Sequence, residues 1–283
     1  VEQVSRLMQG RWGHLWRRGR QVSLRTVLPT PCHVVGDVHL GVASRESELA
    51  LLAFLRRVPS AGGSLVIMGD LFDFWFAWRH AMPRVGFRTL AAQADLHEAG
   101  IPVLWIGGNH DCWGGDALMA ETGANYTLAP WDGRIGPWPT HLAHGDGLRE
   151  KEDAPYRRLR TVLRHPWSIA AYSWLHPNLA TRIAMASSKT SRKGRARDGG
   201  AGLMAVATAQ LSAPDGPQLV MHGHSHVPTL VEAGRGIYAN AGAWYLDQQF
   251  VRIENERIGR YRWNTGAEPQ LLQELRRPGS EAD

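Results

Sequence analysis

The chain has 283 residues, of which 43% are hydrophobic and 20% charged, with a formal net charge of +6 and two cysteines. That length can bury the core of one domain with an insertion, while two cysteines are too few for a disulfide scaffold. No apolar stretch reaches the roughly 18 to 20 residues of a spanning helix, and no signal-peptide pattern opens the chain, so a cytoplasmic protein is expected.

The chain begins with a basic arm, residues 1–26, that holds six basic residues and one acidic residue. Trp12 and Trp16 lie among its arginines. Indole rings and guanidinium groups suit the headgroup layer of a bilayer, so the arm is interpreted as an interfacial segment on the inner face of the cytoplasmic membrane. A disordered arm fits the same composition equally well.

Short apolar runs then alternate with helical patterns. The runs that predict buried strands are 32–35, 65–68, 103–106, 141–143 and 219–221. Apolar residues recur at helical spacing over 46–57, with a stop at Pro59, and over 87–99, with a stop at Gly100. The order strand, helix, strand, helix, strand predicts an α/β core.

Shorter strand candidates, separated by glycine and proline residues, come in two groups. The first group is 126–128, 133–135 and 140–143, and the second is 229–232, 236–239, 250–253 and 257–262. They predict a second sheet that faces the first, so that loops from both sheets meet at one edge. The core is therefore assigned to residues 27–148 and 212–264, and the polar tail 265–283 is expected to be frayed.

Residues 149–211 interrupt this rhythm and are interpreted as a helical insertion. Its helical windows are 154–164, 167–175, 179–185 and 202–211. The polar segment 187–202 predicts a mobile loop. Residues 149–198 hold twelve basic and four acidic residues, which suits a phosphorylated ligand, nucleic acid or an anionic membrane surface. Charge alone leaves these alternatives open, together with a merely solvated surface.

Five motifs lie along the predicted core and supply donors for hard or borderline metal ions. They are Gly36-Asp37-Val38-His39, Gly69-Asp70-Leu71-Phe72-Asp73, Gly108-Asn109-His110-Asp111, His144-Gly145-Asp146 and Gly223-His224-Ser225-His226. Side chains two residues apart on an extended backbone point to one face, so Asp37 and His39 can reach one ion. His224 and His226 repeat that spacing.

The remaining donors suggest separate roles. The carboxylate of Asp70 can bridge two cations, and Asp73 is placed to orient a histidine or to cap a helix. Of Asn109 and His110, one can bind metal while the other faces the substrate. With His144 added, the set predicts a dinuclear metal site for attack on a phosphoryl group.

In this order the motifs resemble the signature of the calcineurin-like metallophosphoesterase superfamily, over about residues 32–250. The resemblance implies an α/β fold, a four-layer αββα sandwich of two mixed β-sheets flanked by helices, with the insertion as a helical lid. It also implies two divalent ions, with Mn²⁺ favoured by analogy and Fe or Zn²⁺ as alternatives.

The same resemblance implies a ligand set. One ion would take Asp37, His39, Asp70 and His226, and the other would take Asp70, Asn109, His144 and His224. His110, paired with Asp73, would protonate the leaving oxygen or stabilise the transition-state charge.

Within that superfamily the chain resembles the UDP-2,3-diacylglucosamine diphosphatases of lipid A synthesis. The shared features are segment 69–75, segment 144–146, the helical insertion and segment 240–244. This resemblance implies hydrolysis of a nucleotide-sugar diphosphate to UMP and an acylated sugar 1-phosphate by a peripheral membrane enzyme. Well-known members of that family carry arginine at the position of His110, whereas histidine is typical of general phosphoesterases.

The insertion supplies candidate substrate-binding residues. Those expected to line a groove for acyl chains are Trp167, Tyr172 and Trp174, and those expected to meet phosphates are Lys189, Arg192, Lys193, Arg195 and Arg197. An apolar helical stripe is alternatively part of a core. A phosphomonoesterase, a phosphodiesterase and a nuclease are the other activities that the site allows, and the intact ligand set argues against a non-catalytic scaffold.

Overall fold

The computed structural model describes residues 27–192 and 198–280. The predicted basic arm with Trp12 and Trp16 lies outside the described residues, as do Lys193, Arg195 and Arg197. The strands are β1 (Val27–Leu28), β2 (Cys32–Val35), β3 (Ser64–Ile67), β4 (Val103–Ile106), β5 (Asn125–Thr127), β6 (Trp131–Ile135), β7 (Trp138–Ala143), β8 (Leu219–His222), β9 (Thr229–Ala233), β10 (Gly236–Asn240), β11 (Gln249–Ile253), β12 (Arg257–Arg262) and β13 (Gln270–Arg276).

The helices fall into two groups, one in the core and one in the insertion. Those of the core are α1 (Arg45–Ala61), α2 (Phe87–Glu98), α3 (Gly115–Thr122) and the short α8 (Trp244–Asp247). Those of the insertion are α4 (Ala154–Leu163), α5 (Pro166–Ser173), α6 (Pro177–Arg192) and α7 (Ala201–Ser212).

Two mixed sheets form the centre of the molecule. One has six strands in the order β1-β6-β7-β8-β10-β9, and the other has seven in the order β13-β12-β11-β2-β3-β4-β5. Strands β2, β3 and β4 are parallel neighbours, and so are β7 and β8. The carboxyl ends of each parallel group therefore lie at one edge of its sheet.

The central strands are apolar at nearly every position because both of their faces are covered. On β2, Cys32 and Val34 pack between the two sheets, whereas Val35 points to the outer layer of helices. On β4, Leu104 faces the other sheet and Trp105 faces the helices. Side-chain alternation along a strand thus gives each sheet two buried faces.

Helices complete the outer layers. Helices α1, α2 and α3 cover the seven-stranded sheet through a large apolar cluster that includes Leu51, Leu90 and Leu118. Helix α7 covers the six-stranded sheet through Ala207 and Leu211, which pack on β8 and β10. The predicted four-layer sandwich of two mixed sheets flanked by helices is confirmed.

Helices α4 and α5 of the insertion bury few residues, unlike α7, which packs on the six-stranded sheet. Helix α4 has no buried residue, and α5 has one, Ile169. Asp146 attaches this region to the core, because its carboxylate accepts hydrogen bonds from Tyr156 at 2.7 Å and Arg164 at 3.2 Å. Ile169 packs on Phe74, which continues the loop after β3.

Three local predictions were wrong. Helix α1 does not stop at Pro59 but continues to Ala61. Its C-cap is Gly62, whose φ of 72° favours glycine. Helix α6 extends through the first part of the predicted loop 187–202. The tail after residue 265 is not frayed, because β13 pairs with β12 and Leu275 packs against the core between the sheets.

Candidate metal centre

Each predicted ligand follows a strand of one of the two parallel groups. Asp37 and His39 follow β2, Asp70 follows β3, and Asn109 follows β4 in the seven-stranded sheet. The six-stranded sheet contributes His144, directly after β7, and the pair His224 and His226, after β8. Because the carboxyl ends of both groups meet at one edge of the sandwich, residues up to 189 positions apart in the chain become neighbours.

The backbone at this edge adopts a conformation that side chains rarely allow. Five ligand residues have φ between 48° and 62°, in the left-handed region: Asp37, His39, Asp70, His224 and His226. Such residues cost on the order of 1 kcal/mol or more each and cluster where function requires them. Backbone hydrogen bonds to the loop after β3 hold two of them in place. The N–H of Asp37 donates to the carbonyl oxygen of Gly69, and the N–H of His39 donates to the carbonyl oxygen of Asp70.

Glycines make room for the ligands. A Cβ on Gly108 would lie 2.2 Å from Asp70 Oδ1, and one on Gly69 would lie 2.4 Å from His144 Nδ1. Both contacts are shorter than any side chain tolerates. Gly69 and Gly108 are therefore required by the approach of ligand side chains to the backbone.

One group of donors surrounds Asp37. Its Oδ1 atom lies 3.4 Å from His226 Nε2, and His226 Nε2 lies 3.2 Å from His39 Nε2. The ligand atoms of Asp37, His39 and His226 all lie within 4.8 Å of one another. Asp37 Oδ1 is buried and receives no hydrogen bond from the described residues, which is expected of a carboxylate oxygen that serves as a metal ligand.

A second group surrounds Asp70. Its Oδ2 atom lies 3.4 Å from His144 Nε2, and Asn109 Oδ1 lies 3.3 Å from His144 Nε2 and 3.1 Å from His224 Nδ1. The same Oδ2 atom lies 3.8 Å from His39 Nε2 in the first group. Asp70 is therefore common to both groups, as a bridging carboxylate must be.

Hydrogen bonds fix the ring nitrogens that face the centre. His39 Nδ1 lies 3.1 Å from Asp73 Oδ1, and His144 Nδ1 lies 2.8 Å from the carbonyl oxygen of Met68. These oxygens accept, so each ring donates from Nδ1 and presents Nε2 to the cluster. Carboxylate, amide and neutral imidazole donors in this arrangement fit two divalent cations.

The buried charges also favour cations. Burial raises the pKa of Asp37, but the neighbouring His226 and His144 outweigh burial and lower it. Burial lowers the pKa of His144, yet the charge of Asp70 and its hydrogen bond outweigh burial and raise the pKa to about 10. A proton on His144 partly balances the neighbouring carboxylates in the metal-free protein, and a metal ion would displace that proton.

His110 lies beside the predicted ligands. Its Nδ1 atom is 2.7 Å from the carbonyl oxygen of Asp73, and its Nε2 atom is 3.9 Å from Asp70 Oδ2. The carboxylate of Asp73 lies closer to His39 than to His110, at 3.1 Å against 3.9 Å. Asp73 thus contacts His110 chiefly through its main chain and His39 through its side chain.

Comparisons with known proteins agree with this geometry. The family model of calcineurin-like phosphoesterases matches residues 30–228. The chain belongs to the calcineurin-like phosphoesterase family. It is a metal-dependent phosphoester hydrolase, and its cluster of histidines and aspartates fits divalent metal ions.

Similar curated proteins are named UDP-2,3-diacylglucosamine hydrolase. The one from Porphyromonas gingivalis is 30% identical over 57% of this chain, and the match spans 63% of that relative, less than two thirds of its length. The one from Ralstonia nicotianae is 29% identical over 80% of this chain and 90% of the relative. A Vps29 double mutant from Entamoeba histolytica matches structurally at a TM-score of 0.45, with 14% identity over 87% of this chain and 98% of that one.

The predicted substrate-binding residues of this phosphoesterase differ in their exposure to solvent. Trp167 and Trp174 are 71% and 78% exposed, whereas Tyr172 packs between Phe76 and Trp78 with ring centroids 5.0 and 6.4 Å away. Lys189 and Arg192 belong to α6, and the other three basic residues lie outside the described ranges. The structure thus makes Tyr172 part of a packed aromatic cluster.

The sequence analysis did not identify two residues that lie near the metal centre. Asp111 accepts hydrogen bonds from the N–H groups of Gly108 and Leu71, and burial together with Asp70 raises its pKa to about 7. It ties the loops after β3 and β4 together, and its place in the motif with His110 was an available signal. Tyr245, whose ring meets His39 edge-on at 5.4 Å, gave no such signal.

None of the helices in the described ranges is long and apolar enough to cross a membrane.

Proposed function

We propose that this phosphoesterase hydrolyses the diphosphate of UDP-2,3-diacylglucosamine, or a close analogue, to UMP and an acylated sugar 1-phosphate. The observation that carries the proposal is the shared carboxylate of Asp70, whose Oδ2 atom lies 3.4 to 3.8 Å from histidines of both donor groups. The names of the curated relatives supply the substrate class.

The proposed ligands divide around Asp70. Asp37, His39 and His226 would hold one ion with it, and Asn109, His144 and His224 would hold the other. Two divalent ions in such a site polarise phosphoryl oxygens and lower the pKa of bound water. By analogy we favour Mn²⁺, since mixed oxygen and nitrogen donors also suit Fe and Zn²⁺.

The chain's own residues then orient the reaction. Asp73 holds the ring of His39 so that Nε2 faces the centre, and the carbonyl oxygen of Met68 does the same for His144. Such partners keep a ligand in one tautomer and limit its rotation. The positions of the ligand atoms are thereby fixed before the substrate arrives.

We assign the proton on the leaving oxygen to His110. Its Nδ1–H donates to the carbonyl oxygen of Asp73, so Nε2 is the atom directed to the site. At 3.9 Å from Asp70 Oδ2, Nε2 is close enough to a bound phosphoryl group to donate a proton or stabilise negative charge.

The insertion suits an amphiphilic substrate. Its exposed large apolar side chains include Leu159, Val162, Trp167, Trp174, Leu179 and Ile183. Apolar surface of this extent on a basic segment is typical of a contact with acyl chains or with a bilayer. We therefore place the enzyme at the inner face of the cytoplasmic membrane, with peripheral contact through this surface.

The test is a substrate comparison with the metal-loaded protein. Activity would be measured with UDP-2,3-diacylglucosamine, UDP-N-acetylglucosamine, p-nitrophenyl phosphate, bis-p-nitrophenyl phosphate and single-stranded DNA, and products identified by mass spectrometry. We expect the highest kcat/KM for the acylated nucleotide sugar, with UMP as one product. Equal or greater activity with DNA or with the simple esters would reject the assigned substrate in favour of a phosphodiesterase, nuclease or phosphomonoesterase.

A further inference from the structure

Segment 240–244 joins strand β10 to helix α8 and is hydrogen-bonded to two of the loops that carry metal-ligand candidates. The side-chain amide of Asn240 donates to the carbonyl oxygen of Gly223 at 2.9 Å. The N–H of Trp244 donates to the carbonyl oxygen of Gly36 at 3.3 Å, and its side chain is fully buried. The residue that follows the segment is therefore held in a fixed position next to both loops.

That residue is Tyr245, whose ring forms part of the wall of the proposed metal centre. The ring meets His39 edge-on with centroids 5.4 Å apart, and it meets His226 edge-on at 5.8 Å. Both histidines belong to the donor group around Asp37. His39 is fully buried, whereas His226 and Tyr245 are partly exposed. The ring therefore extends this side of the centre towards solvent, where a bound substrate would continue.

Tyr245 and helix α4 lie on opposite sides of the centre. In the seven-stranded sheet, β2 and β3 separate β11, which Tyr245 precedes, from β4. Helix α4 contacts the loop after β4, since Trp113 Nε1 donates to the carbonyl oxygen of Leu163 at 3.1 Å. In the six-stranded sheet, β8 separates β10, which leads to Tyr245, from β7, after which Asp146 binds α4. Both sheets thus give the same order across the centre.

The two halves of the proposed substrate differ in the surface that each requires. The acylated half requires apolar surface, and α4 exposes Leu159 and Val162. The nucleoside half ends in a planar base, and planar bases stack on aromatic side chains. His110, which we assign to the leaving sugar phosphate, follows β4 and so lies on the side of α4. The nucleotide half is then left for the side of Tyr245.

We propose that Tyr245 forms the binding surface for the nucleobase of the substrate, with its ring stacked on the uracil. The inference rests on the proposed function, which supplies the acylated half and its place at the insertion. The base of a nucleotide is one ribose away from its phosphate, and Tyr245 directly adjoins the donor group around Asp37. Tyr245 thereby selects for nucleotides, and it is not itself a metal ligand.

The test is calorimetric titration of the full chain, loaded with Mn²⁺, with UMP and with ribose 5-phosphate. Both carry the same phosphate monoester on the same carbon of ribose, and only UMP carries a base. We expect UMP to bind about tenfold more tightly, as stacking of one base supplies. The ratio of the two dissociation constants cancels any change in the metal centre itself, because both ligands present the same phosphate.

Variants then locate the selectivity. Tyr245→Leu removes the aromatic ring and should bring the ratio close to one, whereas Tyr245→Phe keeps the ring and should keep most of the ratio. Leu246→Ala, at the neighbouring side chain of α8, which is 66% exposed, is the control and should keep the full ratio. Metal content by mass spectrometry is measured for each variant.

Three results would overturn the proposal. They are the absence of UMP binding, equal binding of UMP and ribose 5-phosphate, and an unchanged ratio in Tyr245→Leu. A ratio lost equally in Tyr245→Phe would assign the selectivity to the hydroxyl and would also reject stacking.

These outcomes are distinct from failure of the proposed function, since the titration requires no hydrolysis. A ratio that depends on the Tyr245 ring, in a protein that does not cleave UDP-2,3-diacylglucosamine, would support the nucleobase site and reject the assigned substrate. Cleavage of that substrate with equal binding of UMP and ribose 5-phosphate would do the reverse.

Discussion

The metal centre and the helical insertion are built in opposite ways. The proposed ligands are held on loops that follow five strands of two sheets, and five of them have left-handed backbone conformations. In the insertion, helix α4 buries no residue and α5 buries one, and only α7 packs on a sheet among the described helices of this region. Reacting atoms need fixed positions, which a double sheet supplies, whereas a contact with a lipid or a membrane needs mainly exposed apolar area.

One carboxylate links the two regions through hydrogen bonds. Asp146, two residues after His144, accepts hydrogen bonds from Tyr156 and Arg164 of the α4 segment. Burial raises the pKa of Tyr156, and the charge of Asp146 raises it further. If the insertion holds the substrate as proposed, these hydrogen bonds would keep that substrate in a defined relation to the strand end that carries His144.

The largest loss should follow a change at the carboxylate common to both donor groups. Asp70→Asn would remove the charge proposed to face both ions, and we expect kcat/KM to fall by about three orders of magnitude or more, with less metal bound. Activity and metal content by mass spectrometry check this. Asp132→Asn, at an exposed carboxylate on β6, is the control. An Asp70→Asn variant with full metal content and activity would refute the bridging role.

His110→Gln should separate chemistry from metal binding. We expect kcat for the acylated nucleotide sugar to fall about 10²- to 10⁴-fold, because a general acid is lost while the proposed ligands remain. The loss should be larger with phenyl phosphate than with p-nitrophenyl phosphate, because phenolate is the more basic leaving group and depends more on a proton donor. Metal content should match the unmodified protein. Equal losses with both substrates would contradict the proton-donor role.

Asp73→Asn should give a smaller loss of activity, which arises from weaker metal binding. The amide no longer accepts strongly from His39, and we expect metal affinity or activity to fall about 10- to 100-fold. Titration of activity with Mn²⁺ measures the change, and part of the loss should return at high metal concentration. Asp116→Asn on α3 provides a matched control. A loss that metal cannot restore would argue that Asp73 acts on His110 instead.

Substitutions in the insertion should have the smallest effect on the hydrolysis of simple phosphate esters. With Trp167→Ala and Trp174→Ala combined, we expect KM for UDP-2,3-diacylglucosamine to rise about tenfold through lost apolar area. The rate with p-nitrophenyl phosphate should not change, and the free energy of unfolding should change by less than about 1 kcal/mol because both rings are exposed.

Phe87→Ala, at an exposed ring on α2, is the control for this pair. If the double variant lost activity equally with every substrate, the insertion would serve the stability of the metal centre and the contrast between the two regions would fail.

Local sequence patterns predicted the elements well where one signal dominated. Strand β2 was predicted at its observed bounds because a mostly apolar run of four residues, interrupted only by His33, precedes a glycine. Helix α1 outlasted its predicted stop because Pro59 lies in the last turn, where few hydrogen bonds remain to be lost. Strand β13 was missed because its polar sequence forms an edge strand, with Leu275 as its main apolar contact with the core.

The donor types and the order of the five motifs were enough to indicate the reaction class, since they follow the chemistry that two metal ions require. The packing of the two sheets fixed which atoms meet. It directed the Asp73 carboxylate to His39, placed Tyr245 beside two histidines, and turned Tyr172 into a packed residue. The reason is that donor identity is local to the chain, whereas distances between loops depend on how two sheets pack face to face.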